Sequence, residues 1–118
     1  MGRRRSQQAG GDMLIGTLDM LVLRTLVFGP AHGHTLAHAI EASSEEVLQV
    51  EHGSLYPALH RLEDQGMIAS FWGTSDNNRK AKYYRLTPAG RKHLTRERSR
   101  WELLVRAVGR VLGPATDY

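Results

Sequence analysis

The 118-residue sequence contains no cysteine. That absence removes disulfides, thiol nucleophiles and cysteine-ligated zinc together. The sequence also lacks an apolar run long enough to span a bilayer. Its longest apolar-rich stretch, Leu14 to Phe28, is interrupted by Asp19 and Arg24, so no membrane association is expected. The basic N-terminal residues are not followed by an uninterrupted apolar core, so no signal peptide is predicted and the chain is expected in the cytoplasm. No internal repeat is visible. The constellations that carry turnover are missing too. There is no nucleophile with a base and an orienting group, no phosphate-cradling glycine loop and no pair of carboxylates in a plausible cleft. The sequence therefore predicts neither an enzyme nor a bound cofactor.

Hydrophobic residues make up 41% of the chain and charged residues 24%, a balance that places it among globular rather than disordered chains. The length suits one domain with one core. The net charge of +4 hides an asymmetry. Residues 1–11 carry three arginines and no acid, a charge of +3. Residues 12–76 carry two basic residues against nine acids, a charge of −7, and residues 77–118 carry eleven against three, a charge of +8. A basic end on an acidic body suits a polyanion partner; a solvated basic helix has the same composition.

Hydrophobic spacing predicts the elements. Residues 1–12, rich in arginine, glutamine and glycine, have nothing to bury and read as a disordered basic arm. Leu14, Leu18, Leu21, Val22 and Leu26 fall at helical spacing, with Ile15, Leu23 and Val27 on other faces, so the helix from Leu14 to Phe28 is expected to be buried on more than one side. Gly29-Pro30 ends it. A second, short helix runs from Gly33 to about Ala42, with Leu36 and Ile40 inward. Val47 to Val50 reads as a short strand. A third helix opens between Glu51 and Ser54, with Ser54 as candidate cap, and runs to Gln65 with Leu55, Leu59 and Leu62 inward. Met67–Trp72 and Lys82–Thr87 alternate as two strands around a polar turn, giving a hairpin with a basic descending arm. Thr87-Pro88 opens a last helix that can reach Leu112, about 37 Å at 1.5 Å per residue.

Three helices, a hairpin and a helix make the parts list of a winged helix-turn-helix. The fold class expected is mainly α with a small β-hairpin, in which residues 13–87 form a DNA-binding domain and residues 88–118 a dimerisation helix and tail. In that architecture the third helix enters the major groove of double-stranded DNA and the hairpin, or wing, follows its backbone. The last helix carries more apolar surface than so small a core can cover. A homodimer is the economical solution, with Leu14, Leu18, Leu104, Val108, Val111 and Leu112 at its interface.

Four segments carry a family resemblance: Gly16-Thr17-Leu18-Asp19, Gly29-Pro30-Ala31-His32-Gly33, the run Gly53 to Glu63, and the run Lys82 to Gly90. Together they resemble the PadR family of bacterial transcriptional regulators, over nearly the whole chain from Leu14 to Leu112. The short C-terminal region is similar to the compact subgroup with one dimerising helix after the wing. The resemblance implies a dimeric winged-helix repressor whose DNA affinity is lowered by an effector. One position departs from the family, which usually has tyrosine where this chain has His34. If that tyrosine touches phosphate in relatives, His34 can do the same, more strongly when protonated.

The candidate DNA-binding residues are His34, Ser54, Tyr56, His60, Arg61, Arg79, Lys80 and Lys82. Ser54 and Tyr56 can donate to phosphate or base edges and Arg61 can read guanine bidentately. Against this, Tyr56 can pack on the second helix and Arg61 can pair with Asp64. Arg79, Lys80 and Lys82 supply the wing's positive charge. Arg3, Arg4 and Arg5 can follow a groove or be a spectator tail. His32, His34 and His38 are read as surface histidines, with no metal site expected. Trp101 lies on the apolar face of the last helix, where interface packing is the plainer role. The resemblance adds another: in some multidrug-sensing members of the family a tryptophan at the matching place stacks flat aromatic ligands. On that reading Trp101, Val105 and Leu18 bind a small aromatic effector. A rival function keeps the dimer but makes it a ligand- or metal-sensing protein that acts through a protein partner. A sharp footprint on one DNA site would exclude it.

Overall fold

A computed structural model describes residues 16–117. The basic arm, Arg3 to Arg5 and Leu14 lie outside the described residues. The elements are helix α1 (residues 16–26), strand β1 (Ala31–His32), helix α2 (Gly33–Ser43), helix α3 (His52–Asp64), strands β2 (Ile68–Thr74) and β3 (Lys80–Leu86), helix α4 (Pro88–Leu112) and a short 3₁₀ turn (Ala115–Asp117). The fold is mainly helical with a small antiparallel sheet, a winged helix-turn-helix followed by one long helix.

The core is the intersection of three apolar stripes. Leu18, Val22, Leu23 and Leu26 of α1 meet Leu36 and Ile40 of α2 and Leu55, Leu59 and Leu62 of α3. Ile68 and Tyr84 close it from the sheet. Burial of α1 on two sides follows from its having apolar residues on more than one face.

Two local readings are corrected. Residues 47–50 form no strand. Glu45 and Glu46 have positive φ angles of 52° and 65°, which turn the chain sharply out of α2. The backbone then bonds to side chains instead of a ladder: Leu48 N–H donates to Ser44 Oγ at 3.1 Å and Val50 N–H to Glu41 Oε2 at 2.8 Å. A strand appears instead at Ala31–His32, where Ala31 pairs with Tyr84 and His32 with Tyr83, giving a three-stranded sheet in the order β1-β3-β2. Two residues are too few to show an alternation. Helix α3 starts within the expected range, but Glu51 rather than Ser54 holds the cap position and Ser54 lies inside the first turn.

Helices α3 and α4 meet in one knot. Gly66, at φ 75°, ends α3, with Met67 N–H donating to Leu62 O at 2.9 Å and Gly66 N–H to Glu63 O at 3.0 Å. This paired closure satisfies the last carbonyls of the helix. Thr87 caps α4: its Oγ accepts from Gly90 N–H at 3.0 Å and its hydroxyl faces the carbonyls of Gly66 and Met67 at 2.7 and 2.9 Å. Gly90 sits so close to Met67 that an added Cβ would fall inside contact distance of its carbonyl. Beyond Leu94, which is buried, α4 leaves the body, and every residue from Ser99 to Leu112 is exposed.

Candidate nucleic-acid interface

The spacing of α3 divides it cleanly. Leu55, Ala58, Leu59 and Leu62 are buried, while His52, Gly53, Tyr56, Pro57 and His60 are exposed. The exposed set is one continuous helical face. Tyr56 packs on the second helix and stays partly open to solvent. Its ring packs against the start of α2, so that a Cβ on Gly33 would stand 2.9 Å from its hydroxyl, yet 47% of the residue remains exposed. A side chain at position 33 would push the Tyr56 ring aside. Ser54 is half-buried. His60 points outward and its Nε2 lies 3.4 Å from Asp64 Oδ2.

Arg61 is placed differently from its sequence-based reading. Its Nη2 donates to Asp19 Oδ1 of α1 at 2.9 Å, in a half-buried ion pair. It is neither free for guanine nor paired with Asp64. Burial pushes the Asp19 carboxyl above the usual range, while the Arg61 hydrogen bond and charge, and His93, pull it back down. The pair pins α3 to α1. Because both side chains keep some solvent contact, its contribution is about 1 kcal/mol. Arg61→Ala is expected to lower the melting temperature by about 4 °C; an unchanged melt would show that the pair holds nothing.

The wing shows a similar division. Its tip is closed by Ser75 N–H donating to Arg79 O at 2.8 Å and Asn78 N–H to Ser75 O at 2.9 Å. Arg79 and Lys80 are exposed there, and the Lys80 ammonium lies 5.1 Å over the Trp72 ring. Lys82 faces back toward the body, with its Nζ 3.6 Å from Glu63 Oε1 of α3 and 5.8 Å from the Tyr84 ring centre. Glu63 also accepts a short hydrogen bond from the Ser70 hydroxyl. Lys82 is thus paired toward α3, while Arg79 and Lys80 at the tip and Arg85 on β3 are exposed and in no ion pair among the described residues.

His34 is exposed at the first turn of α2, and it is not alone. Its ring centre lies 4.6 Å from His38 and 6.3 Å from His52. His52 in turn lies 5.7 Å from Tyr56. His52 was not among the expected site residues. The available signal was its spacing: His52, Tyr56 and His60 recur every four residues, and a helix started at Ser54 leaves out the first of them. No group of three or more metal-binding side chains among the described residues has a geometry that could hold an ion.

Trp101 lies between α1 and α4 and borders two open grooves. One, of about 520 Å³, is lined with it by Thr17, Met20, Arg100 and Leu104. The other, of about 400 Å³, is lined with it by Met20, Leu21, Arg24 and Leu94. The two residues grouped with Trp101 are not in these grooves. Leu18 is fully buried in the core of its own chain and has no surface for a ligand or for a second copy. Val105 lies farther along α4, half exposed. Leu104, Val108, Val111 and Leu112 are between 46% and 88% exposed, an uncovered apolar face. No helix among the described residues is long and apolar enough to cross a membrane.

This arrangement has known counterparts. The transcriptional regulator PadR-like family matches residues 22–96, from the middle of α1 into α4. The chain belongs to that family. A transcriptional regulator of Mycobacterium tuberculosis is 42% identical over 77 residues, covering 65% of this chain and 68% of the relative. A PadR family regulator from Eggerthella lenta superposes with a TM-score of 0.75 at 33% identity, over 93% of this chain and 94% of that one. A transcriptional regulator from Clostridium thermocellum superposes with a TM-score of 0.79 at 28% identity, over 86% and 99%. PadR-like proteins are DNA-binding regulators of transcription and not enzymes.

Proposed function

We propose that this PadR-like chain acts as a homodimer that binds one operator sequence and represses transcription until a small aromatic effector releases it. Residues 13–87 serve as the DNA-binding unit, and residues 88–118 as the dimerisation helix and tail. The observation that carries this reading is the uncovered apolar face from Trp101 to Leu112 on a helix that projects from the body. A twofold partner on that face would present two α3 helices to successive major grooves, about 34 Å apart. Tyr56 and His60 face the bases, and Arg79 and Lys80 follow the phosphates. The grooves beside Trp101 are of a size that suits small ligands, and the indole face suits planar or cationic ones.

Fluorescence anisotropy tests the reading, using DNA from just upstream of the chain's own gene and a shuffled duplex across a salt series. Tight binding to the native duplex alone supports an operator. Equal, steeply salt-dependent binding to both removes the sequence-specific part. Binding to neither favours a sensor that works through a protein partner. In the same assay, replacing Arg79 and Lys80 with alanine is expected to weaken binding to every duplex and to flatten the salt slope by about two units. An unchanged slope would exclude the wing tip from the interface.

A further inference from the structure

Four of the six histidines lie on one patch of surface beside the exposed face of α3. His32 is already occupied: it caps α2, its Nδ1 accepting Thr35 N–H at 3.3 Å, and its ring packs edge-on to Tyr83, 5.3 Å away. The other three, His34, His38 and His52, are exposed and in mutual ring contact through His34. They bridge the first two turns of α2 and the N-terminal turn of α3. Helix N-termini are among the groups that contact phosphate oxygens in protein–DNA complexes.

The charges around the patch are few. On α2 the nearest carboxylate along the helix is Glu41, which is engaged by Val50 N–H at 2.8 Å. At α3 the neighbours are Glu51, which holds the cap position, and Tyr56. From the sheet come His32 and Tyr83. The histidine ion pairs among the described residues are His60–Asp64 and His93–Glu97, both outside the cluster. A proton gained by His34, His38 or His52 therefore adds positive charge that no ion pair among the described residues offsets.

We infer that His34, His38 and His52 form a proton-dependent site for DNA phosphate, so that affinity for DNA rises as pH falls through the imidazole range. This rests on the DNA-binding reading of the α3 face. The sign follows from the chemistry. A neutral imidazole presents one N–H donor and no charge, whereas the imidazolium presents two donors and a positive charge. Charge-assisted hydrogen bonds to phosphate are roughly twice as strong as neutral ones. Histidine is the side chain whose charge changes most readily in the range assay buffers cover. Each phosphate newly neutralised also steepens the salt dependence by about 0.9 units.

The test is anisotropy on the upstream duplex and on the shuffled duplex at about pH 8 and about pH 6, with ionic strength fixed. The wild-type chain is expected to bind both duplexes about tenfold more tightly at the lower pH, with a salt slope steeper by one to two units. The triple variant His34→Asn, His38→Asn, His52→Asn is expected to lose that ratio. All three side chains are exposed, and a far-UV circular dichroism spectrum checks the fold. The single variant His34→Asn removes the central ring and is expected to cut the ratio to about threefold. His93→Asn, on α4, keeps the full ratio. Wild-type affinity that does not change with pH overturns the inference and leaves the DNA-binding reading intact. So does a triple variant that keeps the full ratio, or loss of the ratio on changing His60 alone. Absence of binding to either duplex at both pH values overturns the DNA-binding reading and this inference with it.

Discussion

Replacing Gly90 with alanine is expected to lower the melting temperature by about 8 °C. Two effects compete. Alanine favours the helix over glycine by about 1 kcal/mol. The new methyl, however, would fall inside the contact distance of the Met67 carbonyl oxygen, 2.9 Å from its carbon and 2.8 Å from Leu86 Cδ1. Met67 O cannot retreat cheaply, because it receives Thr87 N–H at 3.1 Å and lies 2.9 Å from the Thr87 hydroxyl. Either α4 lifts away from the end of α3 or the cap comes apart. Overpacking against immovable atoms costs about 3 kcal/mol, so the clash outweighs the propensity gain, and about 3 to 5 °C per kcal/mol is expected for a chain of this size. Thermal denaturation followed by circular dichroism reads the result. A melting point within about 2 °C of wild type would mean that the approach of α4 to Met67 is looser than described.

Replacing Val108 with aspartate is expected to turn the proposed dimer into a monomer. Val108 is 46% exposed in a single chain, amid Leu104, Val105, Val111 and Leu112. A twofold interface on this face would bury the new carboxylate twice, once from each copy, among apolar neighbours at positions 104, 105, 111 and 112 of its own helix. Burying an unpaired charge is costly enough to abolish a modest interface. The monomer itself loses nothing by the change, since position 108 is at the surface of its own chain. Light scattering is therefore expected to show half the wild-type mass at an unchanged helical content. Affinity for an operator with two half-sites is expected to fall by about 100-fold, because the second half-site contact is no longer tethered to the first. A dimer that persists in solution would remove α4 from the interface.

Periodicity and punctuation made the helices and the wing readable. The Gly29-Pro30 stop, the stripe of Leu55, Leu59 and Leu62, and Thr87-Pro88 at the start of α4 each have a local physical cause, and each appears where that cause puts it. What stayed hidden depends on chain segments far apart in sequence. Arg61 finds Asp19, 42 residues away, and Asp19 lies off the apolar stripe because it faces α3. Lys82 finds Glu63 across the join between the wing and α3. A stripe shows that Leu18 is covered without showing by what, and the cover is its own core rather than a second copy. The candidate site was legible to the same degree: the exposed face of α3 follows from helical spacing, whereas the gathering of histidines from α2 and α3 follows only from how those two helices are packed.

The knot of Gly66, Met67, Thr87 and Gly90 leaves α4 no independent pivot. The end of α3 and the beginning of α4 share hydrogen bonds and direct contact, so the two helices turn as one crank. In a dimer joined along α4, the arm from this crank to the far end of the helix is about 37 Å. A swing of about 5° between the paired arms displaces their far ends by about 3 Å. In the proposed dimer the separation of the two α3 helices would then be set by the angle at which the long arms cross, and the proposed effector beside Trp101 would put the protein out of step with its DNA without touching the α3 face.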